Sequence, residues 1–339
     1  MSAFAQKLIA WQKKHGRHDL PWQGTRDPYR IWLAEVMLQQ TQVSAVVPYY
    51  ARFLQRFPDA RALAQADEDA VLRLWSGLGY YARARNLHAA ARAIVERGGF
   101  PGSVEGLESL PGIGRSTAGA IAVFAFGQRA AILDGNVKRV LARRFGVERA
   151  DWKLAESLVP TRGVATYTQA LMDLGATLCT GANPACGRCP VAADCVALRD
   201  GRIAELPLRR PKRASPLRKA SWLVLVHRGE VMLQRRPAPG LWGGLWTFPE
   251  LEMKSAGAQC RARYGCEILR PKKLAPLEHG FTHFRLRAQP IVCRVVSRSP
   301  RAEAGGRLWL GIDEASQAAI PVPVRKVLAG LRLVRKPVL

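Results

Sequence analysis

A two-domain chain is expected from this sequence, with an all-α N-terminal half followed by a smaller α+β half. Three observations carry the expectation. The chain has 339 residues, about twice the ~150 of an ordinary domain. From Phe4 to about Ala197, apolar residues recur at helical spacing among Ala, Leu and Arg, with breakers at Gly77-Leu78-Gly79 and Pro111-Gly112. After Pro207–Lys219, which holds three prolines, six basic residues and no acid, the pattern changes to short β-prone runs. The expected domains are therefore 1–200 and 221–339, joined by a basic, proline-rich linker at 201–220 that also touches phosphate.

Charge points to the partner. The 52 Lys and Arg against 26 Asp and Glu give a net +26, more than solubility needs and of the sign that attracts a polyanion, with nucleic acid first in line. The N-terminus has scattered charges and no apolar core of signal-peptide length. The longest apolar run, Ala118 to Gly127, is shorter than the ~18 residues of a membrane span. A soluble intracellular protein is expected.

In the helical half, Asp27-Pro28 starts a helix that places Ile31, Glu35, Leu38 and Gln42 on one face. An acid on such an apolar stripe is partly buried, which raises its pKa and keeps a proton available; a buried carboxylate held by hydrogen bonds would look the same. Leu110 to Thr117 lies between a short helix, Val104–Ser109, and a second, Ser116–Phe126. Gly112 and Gly114 permit a tight hairpin whose N–H groups can approach a phosphate, an arrangement like a helix-hairpin-helix anchor on the DNA backbone; an ordinary αα-hairpin would show the same pattern. Asp134 stands between an apolar run and a new helix, where an N-cap role alone would account for it. With Glu35 it supplies the two carboxyl groups that glycosidic cleavage needs, one acid for the leaving group and one anion for the sugar cation.

Seven cysteines are present, and Cys179, Cys186, Cys189 and Cys195 crowd into one segment. Four thiolates with Pro184, Gly187 and Pro190 turning the chain between them form a closed, structural metal site in a reducing compartment. Ligand type alone leaves zinc and iron–sulfur open.

In the C-terminal half, Ser221–His227 and Val231–Arg235 read as a hairpin across Arg228-Gly229-Glu230, and Pro290–Val296 as a third strand. Helical stretches at Ala256–Tyr264 and Val324–Leu333 complete the α+β pattern.

Leu33–Val43, Gly77–His88, Leu110–Thr117, Ile132–Val140 and the four-cysteine loop together resemble the MutY-type adenine DNA glycosylases through most of residues 4–197. The resemblance implies a six-helix barrel in a helix-hairpin-helix glycosylase module, a 4Fe-4S cluster on the four cysteines, and removal of adenine mispaired with 8-oxoguanine, and with guanine, from double-stranded DNA. Carried over by position, Glu35 protonates the flipped adenine and activates water while Asp134 stabilises the sugar cation. Gln40 and Tyr80, with Leu78, resemble residues that wedge into the duplex, and Thr41 and Ser116 join them at the substrate. Trp22 and Gln169 match adenine-pocket positions. Ser116 stands where the related endonuclease III has its lysine nucleophile, which implies a monofunctional enzyme with at most weak lyase activity. Lys138 reads as a phosphate contact.

Pro239–Pro249 resembles the MutT-related, Nudix-like domain of the same family, without the clustered glutamates that magnesium requires. Phe281-Thr282-His283 resembles the loop that inserts at 8-oxoguanine, with threonine where serine is usual. A cytoplasmic, nucleoid-associated bacterial enzyme acting as a monomer is the expectation.

Overall fold

A computed structural model describes residues 2–208, 214–250, 256–303 and 305–333. Residues 209–213 of the expected linker lie outside the described residues, as do 251–255. The chain packs as two compact units, Met1–Gln65 with Asn86–Pro211, and Ala66–Arg85 with Lys212–Leu339.

The first unit is helical. It contains α1 (Ala3–His15), α2 (Pro28–Leu38), α3 (Val43–Arg56) and α4 (Ala60–Ala64). The chain then enters the second unit with α5 (Glu68–Trp75) and returns along α6 (Ala82–Glu96). The short α7 (Val104–Glu108) and then α8 (Arg115–Phe126), α9 (Gly135–Phe145), α10 (Trp152–Ser157), α11 (Val164–Thr177) and α12 (Val196–Arg199) complete it. Many of these helices start where a short polar side chain accepts a free N–H: Asp27 from Tyr29 at 2.9 Å, Ser103 from Gly106 at 3.0 Å and Asp151 from Leu154 at 2.9 Å. Each such cap is worth about 1 kcal/mol.

The core forms where α1, α8, α9 and α11 bring Phe4, Leu8, Ile132, Leu141, Tyr167 and Leu174 together, with Phe4 edge-on to Phe145 at 5.5 Å. Beside it, α2 buries Trp32, Leu33 and Met37, which leaves the Ile31–Glu35 face for other use. That face is shorter than expected. Gln40 takes a left-handed φ of 56°, α2 stops at Leu38, and Gln42 becomes the N-cap of α3 rather than a member of the stripe.

The second unit is built on a sheet with strands β1 (Leu217–His227), β2 (Glu230–Arg235), β3 (Trp246–Thr247), β4 (Cys266–Lys273), β5 (Leu277–Gly280), β6 (Arg285–Arg298) and β7 (Arg307–Gly311). The path is β3-β2-β1-β6-β4, with β5 on β6 and β7 on β2; β1 and β6 run parallel. The expected hairpin is present with a two-residue turn. His227 pairs Glu230, and Arg228 and Gly229 both take positive φ, as the tight turn between twisted strands requires. Helices α13 (Ala256–Gln259), followed by a π-helical turn to Tyr264, α14 (Ile312–Gln317) and α15 (Val322–Leu333) flank the sheet sequence.

Two boundaries differ from the sequence reading. β1 begins at Leu217, so the last four residues of the expected 201–220 linker are strand, paired to β6 from Arg285 onward. Residues 66–85 pack with the sheet unit instead of with the rest of 1–200, because their polar groups find partners there. Trp246 Nε1 donates to Asp69 Oδ1 at 2.6 Å, Arg85 Nη1 to the Gly243 carbonyl at 2.5 Å, and Ser76 Oγ to the Ile320 carbonyl at 2.6 Å.

Candidate active site

A cleft of about 530 Å³ opens in the helical unit. Ile31 and Glu35 of α2 line it together with Trp22 from the preceding loop, Phe124 of α8, and Thr166 and Gln169 of α11. Trp22 is buried and edge-on to Tyr50 at 5.4 Å, so its indole forms a fixed apolar wall.

Glu35 is the acidic group of this cleft. Burial pushes its carboxyl up to about 8, and the negative charge of Asp134 adds to the shift. At neutral pH it therefore holds its proton while bordering a space that a base can enter. Asp134 is close enough to act on Glu35 electrostatically, although it is not among the residues lining the cleft. It is also the N-cap of α9, with Oδ1 accepting from Asn136 N at 2.6 Å and Val137 N at 2.9 Å. Both readings of Asp134 thus describe one side chain: the helix end fixes the carboxylate in place.

The segment before Asp134 is held from α8. Ser116 Oγ accepts from Leu133 N at 2.9 Å, so the hydroxyl expected at the substrate is engaged inside the fold. A Cβ on Gly119 would collide with the Ala131 carbonyl, so only glycine lets α8 lie this close to 131–134. The α7–α8 hairpin has the expected form, with Leu110 and Ile113 buried beneath it. Gly112 needs to be glycine, since its φ is +77° and a Cβ would meet Asn86; Gly114 has an ordinary φ of −94° with open space around it. Gln39 braces the turn, donating to Thr117 Oγ1 at 3.2 Å.

Of the expected wedge residues, Gln40 is exposed beside Thr41, whose N–H donates to the Leu38 carbonyl at 3.2 Å. In the other unit Tyr80 is 49% exposed with φ 49°, a strained position for a bulky side chain. Leu78, contrary to expectation, is buried and does not form that surface. Tyr80 Oη and Thr282 Oγ1 share a hydrogen bond of 3.4 Å, so the 77–80 and 281–283 loops meet within the sheet unit. Phe281 stacks on Phe284 at 4.4 Å, while Thr282 and His283 are exposed. Lys138 is exposed on α9.

Cys179, Cys186, Cys189 and Cys195 border one small apolar chamber with Leu178, Leu198 and Ile203. No group of three or more His, Cys, Asp or Glu among the described residues converges tightly enough for a single metal ion. The surroundings suit an anionic centre. Buried Arg143 points Nη1 at Cys179 Sγ, 3.6 Å away, and otherwise donates to the carbonyls of Leu206, Thr180 and Gly181. Burial, opposed by a hydrogen bond from the Val191 backbone and reinforced by the neighbouring Cys179, Cys195 and Cys186 thiols, raises the Cys189 thiol to about 11, so binding a metal there must displace a proton.

His18, Gln23, Arg26, Phe124 and Thr166 line the cleft without having been singled out in the sequence. Most sit on the irregular 16–26 loop or on a helix face that reads as core. One usable signal was Gln12, a buried polar residue in α1 whose backbone carbonyl accepts from His18 Nε2 at 2.9 Å.

Residues 33–159 match the HhH-GPD superfamily of base excision DNA repair proteins, and residues 221–330 match the NUDIX domain. The chain is 34% identical to the adenine DNA glycosylase of Buchnera aphidicola subsp. Baizongia pistaciae over 97% of both chains. It is 33% identical to that of Homo sapiens over 96% of this chain and 73% of the human one. Among solved structures, a thermostable thymine-DNA glycosylase is similar over 58% of this chain and 95% of its own, with 29% identity and a TM-score of 0.55. An endonuclease III–DNA complex shares the fold at 20% identity and a TM-score of 0.50, over 58% of this chain and 94% of that one.

Proposed function

Because the chain belongs to the adenine DNA glycosylase family, within the HhH-GPD superfamily, we propose that it hydrolyses the N-glycosidic bond of adenine mispaired with 8-oxoguanine, and with guanine, in double-stranded DNA. It is a DNA N-glycosylase of base excision repair. The observation that carries the finer reading is Glu35, an acid protonated at neutral pH beside an aromatic-walled cleft with a second carboxylate nearby.

In this reading the adenine leaves the base stack and enters the cleft against Trp22. Glu35 donates its proton to a ring nitrogen of the purine, the bond from C1′ to the base breaks, and the electron pair leaves with the protonated base. Asp134 faces the resulting sugar cation. A water adds at C1′ and gives its proton to the Glu35 carboxylate, which restores the acid. With Ser116 occupying the position where a bifunctional relative has its amine, no Schiff base forms there and the product is an intact abasic strand.

The four cysteines fit a 4Fe-4S cluster by donor type, by their shared chamber and by the buried Arg143 guanidinium. Such a cluster would tie the 179–195 loop to itself as a structural element, beside Arg143 of α9. Tyr80, Thr282 and Phe281 are the groups offered to the opposing base, and Gly112, Gly114 and Lys138 to the phosphates.

Base release from a panel of duplexes tests the reading: adenine opposite 8-oxoguanine, adenine opposite guanine, thymine opposite guanine, and an oxidised pyrimidine. Free adenine is expected from the first two, with strand scission only after alkali. Release of a pyrimidine instead would overturn the assignment, and scission without alkali would overturn the monofunctional part.

A further inference from the structure

Asp173 has no exposed surface, yet it lies one helical turn from Gln169, a residue that lines the cleft. Its Oδ1 accepts from Gln169 Nε2 at 2.9 Å and from Arg17 Nε at 2.7 Å, and its Oδ2 accepts from Arg17 N at 2.9 Å. A carboxylate paired to a guanidinium can only accept, so the amide must turn its NH2 toward Asp173. The reversed amide would set two acceptors against each other. The oxygen is then the end of Gln169 left for the cleft.

We propose that Asp173 is a positioning residue for base selection, fixing the Gln169 amide so that its carbonyl oxygen accepts from a purine bearing an exocyclic amine and rejects one bearing an oxo group. The same carboxylate also holds a second lining segment, because Arg17 opens the loop that carries His18, Trp22 and Gln23. Gln23 Nε2 in turn donates to the Arg17 carbonyl at 3.1 Å. One buried side chain thus holds two lining segments and sets the polarity of one. The inference rests on the reading of the cleft as an adenine pocket. It adds the reason that a side chain able to present either a donor or an acceptor presents only the acceptor.

The test compares release of adenine, hypoxanthine and unsubstituted purine, each opposite 8-oxoguanine in the same duplex, by wild-type enzyme and Asp173→Asn. Asparagine can offer its NH2 to the Gln169 oxygen and let the amide turn. The ratio of kcat/KM for adenine over hypoxanthine should fall at least tenfold, with purine as the reference that has no group at that position. A loss by one common factor for all three bases, or no change in the ratio, would overturn the proposal. If Asp173→Asn does not fold, Gln169→Glu probes the same contact. Two carboxyl groups at that spacing share a proton, so adenine release must gain an ionisation that the wild type lacks, and an unaltered pH profile would sink the idea. A wild-type enzyme that releases no adenine would remove the reading of the cleft itself, an outcome distinct from failure of the positioning role.

Discussion

Ser116 Oγ accepts the backbone N–H of Leu133 at 2.9 Å, one residue before the carboxylate of Asp134. The Ser116 hydroxyl anchors the segment that carries the second acid. Ser116→Ala should therefore cost about 1 kcal/mol in stability, the ordinary value of a partly buried hydrogen bond. It should also lower kcat several-fold with little change in KM, and Ser116→Thr should restore both. Chemical denaturation and steady-state kinetics read the two effects separately.

Glu35 gives the enzyme a pH signature. With its carboxyl at about 8, the proton needed for base release is lost as pH rises through that value, so kcat should fall on the alkaline side. Glu35→Gln should reduce kcat by a factor of 10² or more while retaining affinity for the mispair, measured by gel shift.

The same shift has a stability consequence of definite sign. The folded state holds the Glu35 proton more tightly than the unfolded chain, whose carboxyl sits near the ordinary 4.5. Between those two values the folded protein binds more protons, so its stability declines as pH rises through this window. Below about 4.5 the two states bind alike and the penalty is absent. Glu35→Gln removes it, by on the order of 3 kcal/mol at neutral pH, so the Tm advantage of the variant should grow from pH 5 to pH 8. Calorimetry of both proteins across that range is the check.

Asp134→Asn separates the helix cap from the charge. Asparagine caps as well as aspartate does, so stability should change by only a few tenths of a kcal/mol. Base release should fall by two orders of magnitude or more. Loss of the negative charge also relieves its pressure on Glu35, so the Glu35 titration, followed by carboxyl NMR, should move toward lower pH.

Iron–thiolate centres absorb visible light and zinc–thiolate ones do not, so the purified protein should be yellow-brown. Cys189→Ala should lose the colour, and protease should then cut within 179–199. Colourless, active protein containing zinc would exclude the cluster.

Much of the candidate site is legible in the sequence, and the reason is local. The Asp27-Pro28 start places Glu35, the Pro111-Gly112 turn places the hairpin, and four cysteines within one loop need no distant partner to be noticed. What escaped depends on contacts far apart in sequence. β3 has only two residues, too few to carry a periodic signal, and β5 only four. His18 and Gln23 line the cleft on a loop whose first residue, Arg17, is tied to Asp173, 156 residues away. The resemblance puts Leu78 among the wedge residues, and only packing reveals that it is covered. Gln42 fell off the Glu35 face because Gln40 adopts a backbone conformation that no propensity scale would assign to glutamine.

The excursion of residues 66–85 into the sheet unit bears on how such a chain can evolve. Asp69, Ser76 and Arg85 are satisfied by Trp246, Ile320 and Gly243, so a polypeptide ending before β1 would leave their polar groups without these partners. The β-rich portion is consequently bound to residues 66–85 as well as to its own strands. Exchanging it for another copy means matching three anchoring contacts at once, which ties the inheritance of the loop bearing Tyr80 to that of the strands that support it.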